Sequence, residues 1–308
     1  MKINIRRILL FLLLVFTLNW GMIGAYLFFG GEWRMPYSLI ISVIYMFMPL
    51  LAAVMLLKWV YREPLRESLG ISFRVNRWFF VFWLLPVIIA LFSIGAGLLL
   101  PGAEYAPDLS GMFERLRGLL TPEKISEARR QVASFPVHPF WPGLLNGLLA
   151  GATVNAIAAF GEEAGWRGFL FHELKPLGFW PVSLVTGLIW GVWHAPVILL
   201  GHNYPSHPVA GVFMMTGFTL LISPIFTYAR IRSGSVFAAA VFHGTLNGTA
   251  GLSVMLIRGG GELCTGVTGI AGMISLVIIN ILMLCYDRYF AGESIIFRKK
   301  NPHSPGKD

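Results

Sequence analysis

Residues 156–171 read AIAAFGEEAGWRGFLF, a helix-forming apolar stretch with Glu162, Glu163 and Arg167 in its middle. A charged group at the centre of a bilayer costs about 2.5–3.5 kcal/mol even by insertion measurements, so such groups usually react, relay protons or pair. The rest of the chain decides whether this stretch belongs in lipid. Its 308 residues are 56% hydrophobic and 13% charged, with a mean hydropathy of +0.69. That leaves too little polar surface to cover a water-soluble globule. About eight apolar runs, near 8–29, 37–60, 78–100, 143–174, 180–200, 209–231, 236–257 and 267–290, approach the roughly 20 residues that a helix needs to cross about 30 Å of hydrocarbon. Lipid offers the backbone no hydrogen-bond partner, which selects helices, and the alternating pattern of a membrane barrel is absent. The predicted fold is all-α, a polytopic transmembrane helical bundle of about eight spans, with residues 1–308 forming a single integral membrane domain.

The first run follows Lys2, Arg6 and Arg7. It continues apolar to Phe29 without a small-x-small cleavage site, and so reads as an uncleaved first helix. Lys and Arg also gather at Lys58, Arg62, Arg66, Arg74 and Arg77, at Lys175, at Arg230 and Arg232, and in a basic tail, 291–308, with Arg298, Lys299 and Lys300. With eight spans all of these lie on one side, which the positive-inside rule makes cytoplasmic. The expectation is a multi-pass protein of the cell membrane with both termini cytoplasmic. Its net charge of +9 then serves topology and anionic lipid, and nucleic acid is not an expected partner. Cys264 and Cys285 sit near opposite ends of the last run, about 30 Å apart at 1.5 Å per residue, beyond disulfide reach. The one sizeable polar stretch, 102–140, reads as an interfacial segment of two short amphipathic helices, one through Leu109, Met112, Phe113, Leu116, Leu119 and Leu120. The other is capped by Thr121 ahead of Pro122. Its expected role is a connector.

Glycines recur at four-residue spacing as Gly143, Gly147 and Gly151, then Gly161 and Gly165, Gly187 and Gly191, and Gly244 and Gly248. This spacing lets membrane helices approach closely, and it surrounds every polar motif. Those motifs are Glu162, Glu163 and Arg167 on the fourth run, Trp190 and His194 on the fifth, and His243 and Asn247 on the seventh. Counted from the basic side, Glu162, His194 and His243 lie at a similar depth, about 15 to 21 Å, which places the chemistry near the cytoplasmic half of the membrane. Glu163 and Arg167 share a helical face and suit an ion pair. Glu162 is turned about 100° away, free to act on water. His243 and Asn247, also four apart, present two donors. A carboxylate base, a histidine and two donors are what water activation and oxyanion stabilisation require.

Zinc is the alternative cofactor, with Glu162, Glu163, His194 and His243 as the ligand set. His172-Glu173 is not followed by the second histidine of a zinc-protease helix. No cofactor is the primary expectation. His202 and His207 flank Pro205 and read as loop residues remote from the glutamates. An ion-coupled membrane transporter and a non-catalytic membrane scaffold are the competing functions. The transporter lacks the inverted repeats and paired broken helices common in that class.

The three motifs resemble those of the CPBP family, the CAAX prenyl proteases and bacteriocin-processing enzymes also called Abi. They are Glu162-Glu163-Ala164-Gly165-Trp166-Arg167, Trp190-Gly191-Val192-Trp193-His194 and His243-Gly244-Thr245-Leu246-Asn247, in the family's order and on separate runs. Trp190 stands where the family often has Phe. The resemblance covers 140–260, a CPBP-like catalytic core, and implies an intramembrane endopeptidase of glutamic type, historically called a metalloprotease. By the same resemblance Glu162 is the general base, His194 orients the water, and His243 with Asn247 form the oxyanion hole. Glu163, Arg167 and Trp190 support them. The implied partner is a membrane-associated peptide or protein, lipidated if the substrate is CAAX-like.

Overall fold

The computed structural model describes residues 3–117 and 120–297. Lys2, Leu119, Arg298, Lys299 and Lys300, and with them most of the 291–308 tail, lie outside the described residues. The chain forms an all-α membrane bundle. Its principal helices are α1 (Ile5–Phe28), α2 (Tyr37–Tyr61) and α3 (Arg77–Leu98), then the short α4 (Ser110–Leu116) and α5 (Pro122–Ser134). The bent pair α6 (Phe140–Ala152) and α7 (Val154–Leu177) follows. After it come α8 (Phe179–Trp193), α9 (Ala195–Leu199), α10 (Pro208–Ser233), α11 (Val236–Thr249) and α12 (Ile270–Tyr289).

All eight apolar runs are helical, but they are not eight full spans. Among the described residues five helices, α1, α2, α3, α10 and α12, are long and apolar enough to cross a membrane, or up to six if the pair α6–α7, bent by 49° at Thr153, counts as one. The fifth run stops at Trp193 because Pro196 has no N–H to continue the ladder. The seventh stops at Thr249, ahead of a glycine-containing turn at Ala250 and Gly251. Apolar length alone could not see either stop.

Helix α11 occupies the middle of the bundle, packed on α3, α6 and α7, while α8 packs on α10 and α2 on α7. The glycine ladders make this possible. A Cβ on Gly244 would meet the carbonyl of Gly151 and the amide of Ala156, and one on Gly248 would meet the carbonyl of Gly147. Backbone therefore touches backbone across the α6–α7 corner and α11. Gly161 and Gly165 do the same for α7 against Met46 and Pro49 of α2.

Polar contacts organise the two ends. At one end Arg7 donates to both oxygens of Glu63, at 2.6 and 2.7 Å, and its Nε lies 2.9 Å from Glu173. The guanidinium holds the Glu63 carboxyl below the usual carboxylate range. Ser235 Oγ donates to the Ser72 carbonyl at 2.6 Å, and Arg232 to Asp287 at 2.7 Å. Lys58, Lys175 and Arg230 occupy the last turns of helices or turns at this same basic end.

The opposite end is capped by 102–140. Thr121 Oγ1 accepts the Lys124 amide at 3.4 Å, as its sequence position predicts. A short strand β1 (Ala103–Tyr105) pairs antiparallel with β2 (Ile257–Gly259), an addition to the all-α expectation. Arg115 fixes the cap by donating to the carbonyls of Gly111, Val254, Ile257 and Gly259 and to Thr265 Oγ1.

Gly244→Leu forces a side chain into backbone, for which overpacking costs about 1–3 kcal/mol or more. Its melting temperature in detergent should fall by several degrees. Gly24→Leu, at a position with nothing within 4 Å, should leave it nearly unchanged.

Candidate active site

The interrupted end of α8 sets the first functional side chain. The His194 amide turns back to the Gly191 carbonyl at 3.2 Å, and the carbonyl of Trp190 instead receives His194 Nδ1 at 2.8 Å. A carbonyl oxygen only accepts, so Nδ1 carries the proton and Nε2 of the neutral ring is left as an acceptor. The next exposed carbonyl, Trp193 O, is taken by Tyr45 Oη at 2.6 Å and Trp20 Nε1 at 3.3 Å. Helices α1 and α2 thus pin the backbone beside His194.

The two glutamates have different surroundings, as their spacing predicts. Glu163, fully buried, has Arg167 Nη1 3.2 Å from its carboxylate oxygens. It also receives His243 Nδ1 at 2.8 Å, a partner that spacing along one helix could not reveal. Arg167 lies between the rings of Trp190 and Phe226, 4.5 and 4.1 Å from their centroids, and Nη2 donates to Ser223 at 3.0 Å. Around this group α7 widens into a π-helical stretch, Ala164–Leu170, with every residue buried, a deviation frequent at functional sites. Glu162 belongs to the other face. Trp190 Nε1 donates to its Oε2 at 2.7 Å, which leaves Oε1 as the oxygen without a protein donor among the described residues.

Glu162, Trp190, His194, His243 and Asn247 line one cavity of about 310 Å³. The residues drawn from three separate helices do meet, while Glu163 and Arg167 sit behind the wall. The remaining lining includes Tyr45, Trp193, His202, Asn203 and Thr268. His202 was expected as a remote loop residue. The turn after α9 folds it back through its amide to the Val197 carbonyl at 3.0 Å, and Trp33 packs edge-on to its ring. His207 does remain outside, exposed and 3.1 Å from Glu262. Tyr45 was missed altogether, because a tyrosine within an apolar run carries no signal of its own. The cavity also runs from Glu162 toward the capped end, although depth counting placed the chemistry near the basic side. A count of residues from one end measures depth and says nothing of the direction in which a cavity opens.

Among the described residues no three His, Cys, Asp or Glu side chains are grouped to hold a metal ion. Glu163 is committed to Arg167 and His243, and His194 Nδ1 to a carbonyl.

Residues 143–249, which include all the motif residues, match the family described as type II CAAX prenyl endopeptidase Rce1-like. CAAX prenyl protease 2 of Methanococcus maripaludis is 30% identical over 97 residues, covering 30% of this chain and 36% of that protein. The chain thus spans about a third of the length of the curated relative it matches.

Removing one partner of a buried ion pair typically costs about 3–5 kcal/mol, whereas replacing both is close to neutral. Glu163→Ala should lower the melting temperature strongly. Glu163→Ala combined with Arg167→Met should recover part of the loss, and additive losses would show that the pair is not coupled.

Proposed function

Taking residues 143–249 as a segment of the CAAX prenyl endopeptidase family, we propose that the chain is an intramembrane endopeptidase that hydrolyses a peptide bond with water activated by Glu162. The observation that carries this reading is the free Oε1 of Glu162 in a cavity shared with His194 and Asn247. Water held between Glu162 Oε1 and His194 Nε2 gives one proton to the glutamate and points the other at the histidine. The hydroxide attacks the scissile carbonyl carbon. The oxyanion then meets the Asn247 amide and His243 Nε2. Because His243 Nδ1–H already faces Glu163, Nε2 donates only from a ring carrying both protons, and the Glu163 carboxylate balances that charge. The proton on Glu162 passes to the leaving amine, which closes the cycle.

The supporting roles follow from contacts. Trp190 orients Glu162, Glu163 orients His243, and Arg167 neutralises Glu163. Tyr45 acts as a positioning residue through the backbone next to His194. We read the mechanism as metal-free, a reading supported by the commitment of Glu163, one of the four candidate ligands, to Arg167 and His243. The substrate is a membrane-associated peptide or protein. A lipidated C-terminal peptide is the form suggested by the name of the Methanococcus relative.

The test is a cleavage assay in detergent with quenched-fluorescent peptides, lipidated and not. Glu162→Gln should lower kcat by about 10²- to 10⁴-fold, the usual contribution of a general base, with its melting temperature unchanged. Equal turnover would sink the proposal, and ion flux without cleavage would favour a transporter. Asn247→Ala should lose about 10²- to 10³-fold in kcat. Tyr45→Phe should lose about 10- to 100-fold with KM little changed, as expected for misplacement. Exhaustive chelation should leave the rate intact, and loss restored by zinc would overturn the metal-free reading.

A further inference from the structure

The cavity that holds Glu162 has a direction, and the charge of the bundle has one too. The lining residues include His202 and Asn203 after α9 and Thr268 before α12. These belong to the capped end, where Tyr204 Oη donates to the Thr268 carbonyl at 2.7 Å and so joins the two loops. Ser42, Tyr45 and Met46 line the cavity from the first half of α2, and Met215 and Phe218 from the first half of α10, both helices that start at that end.

Toward the basic end the path is filled. Directly beyond the glutamates every residue of Ala164–Leu170 is buried. The stack of Trp190, Arg167 and Phe226 lies behind, and Arg230 closes on the Arg167 carbonyl at 3.1 Å.

The short connections assign the sides. Those at the basic end, with the helix ends beside them, hold Lys58, Arg62, Arg66 and Arg74, then Lys175, then Arg232 near the α10–α11 turn, whereas at the capped end the connections other than 102–140 hold only Arg34 and Arg258. Lys and Arg in short loops mark the cytoplasmic side of a membrane protein. Within 102–140 five Lys and Arg stand with five Asp and Glu, and with this loop counted as well the excess of Lys and Arg still lies at the basic end.

We propose that the capped end faces away from the cytoplasm and that the peptide enters the site from there. The substrate is then a peptide segment exposed on the non-cytoplasmic side of the membrane, such as the juxtamembrane part of an exported or membrane-anchored protein. The peptidase reading of the site is the premise. The sidedness rests separately on charge and on the shape of the cavity.

Two measurements separate these. In a Cys264→Ser, Cys285→Ser background, Ser206→Cys marks the capped end and Arg66→Cys the basic end, both at exposed positions. A membrane-impermeant maleimide added to intact cells should label Ser206→Cys at once and Arg66→Cys only after permeabilisation. The reverse pattern overturns the orientation. The second measurement gives the quenched peptide library, conjugated to a sulfonated dye that cannot cross a bilayer, to right-side-out and to inverted vesicles. Cleavage should be at least five-fold faster in right-side-out vesicles, and detergent should equalise the two. Faster cleavage in inverted vesicles, or no preference in sealed ones, overturns the entry route. Glu162→Gln that cleaves like the wild type, or a wild type silent even in detergent, condemns the peptidase reading instead, and the labelling result then stands alone.

Discussion

The Glu163 carboxylate is the point on which the site depends. It is fully buried in a membrane bundle, where an uncompensated charge is not tolerable, and it is shared by Arg167 on its own helix and His243 on α11. This one group joins the two helices that carry Glu162 and Asn247, and it fixes which nitrogen of His243 points away. Arg167 in turn is held by two aromatic faces and a serine hydroxyl, so the charge is embedded on every side. The neighbouring Glu162 can remain open to the cavity because its partner has taken over the structural work. Two adjacent residues, about 100° apart on a helix, thereby divide into one that is fixed and one that is available.

The part of the design legible in the sequence is the part written in local spacing. The i,i+4 pair of Glu163 and Arg167, the glycine ladders, the Thr121 cap and the helical nature of all eight apolar runs follow from periodicity. The similar depth of Glu162, His194 and His243 follows from counting. What was not legible involves contacts between distant segments. His243 on Glu163, Trp190 on Glu162 and Tyr45 on Trp193 each join residues whose side chains give no local sign of a partner. The early stop of the fifth run was not legible for a related reason. Pro196 was visible, but its effect, a helix ended early with its freed carbonyls captured by His194, Tyr45 and Trp20, requires the neighbouring helices.

Those neighbours matter for how the family resemblance is understood. Residues 143–249 hold the motifs, yet the backbone beside His194 is held by Trp20 and Tyr45, and the cavity wall includes Ser42, Met46 and Thr268. The matched segment is incomplete as a pocket, and the flanking helices and loops are where differences in specificity between relatives can arise without any change in the motifs.

The staple at the basic end has a consequence for how the chain is made. Arg7 stands at the start of α1, but its partners are Glu63 and Glu173, and Phe11 one turn on packs against Trp166 and Phe169. The first helix can be inserted long before it can be docked. Until α7 has been synthesised, the surfaces of α1 and α2 that will face it have not met their partners. Biogenesis of this protein is thus separated into threading and assembly, and the wait is set by the position of residue 173 in the message.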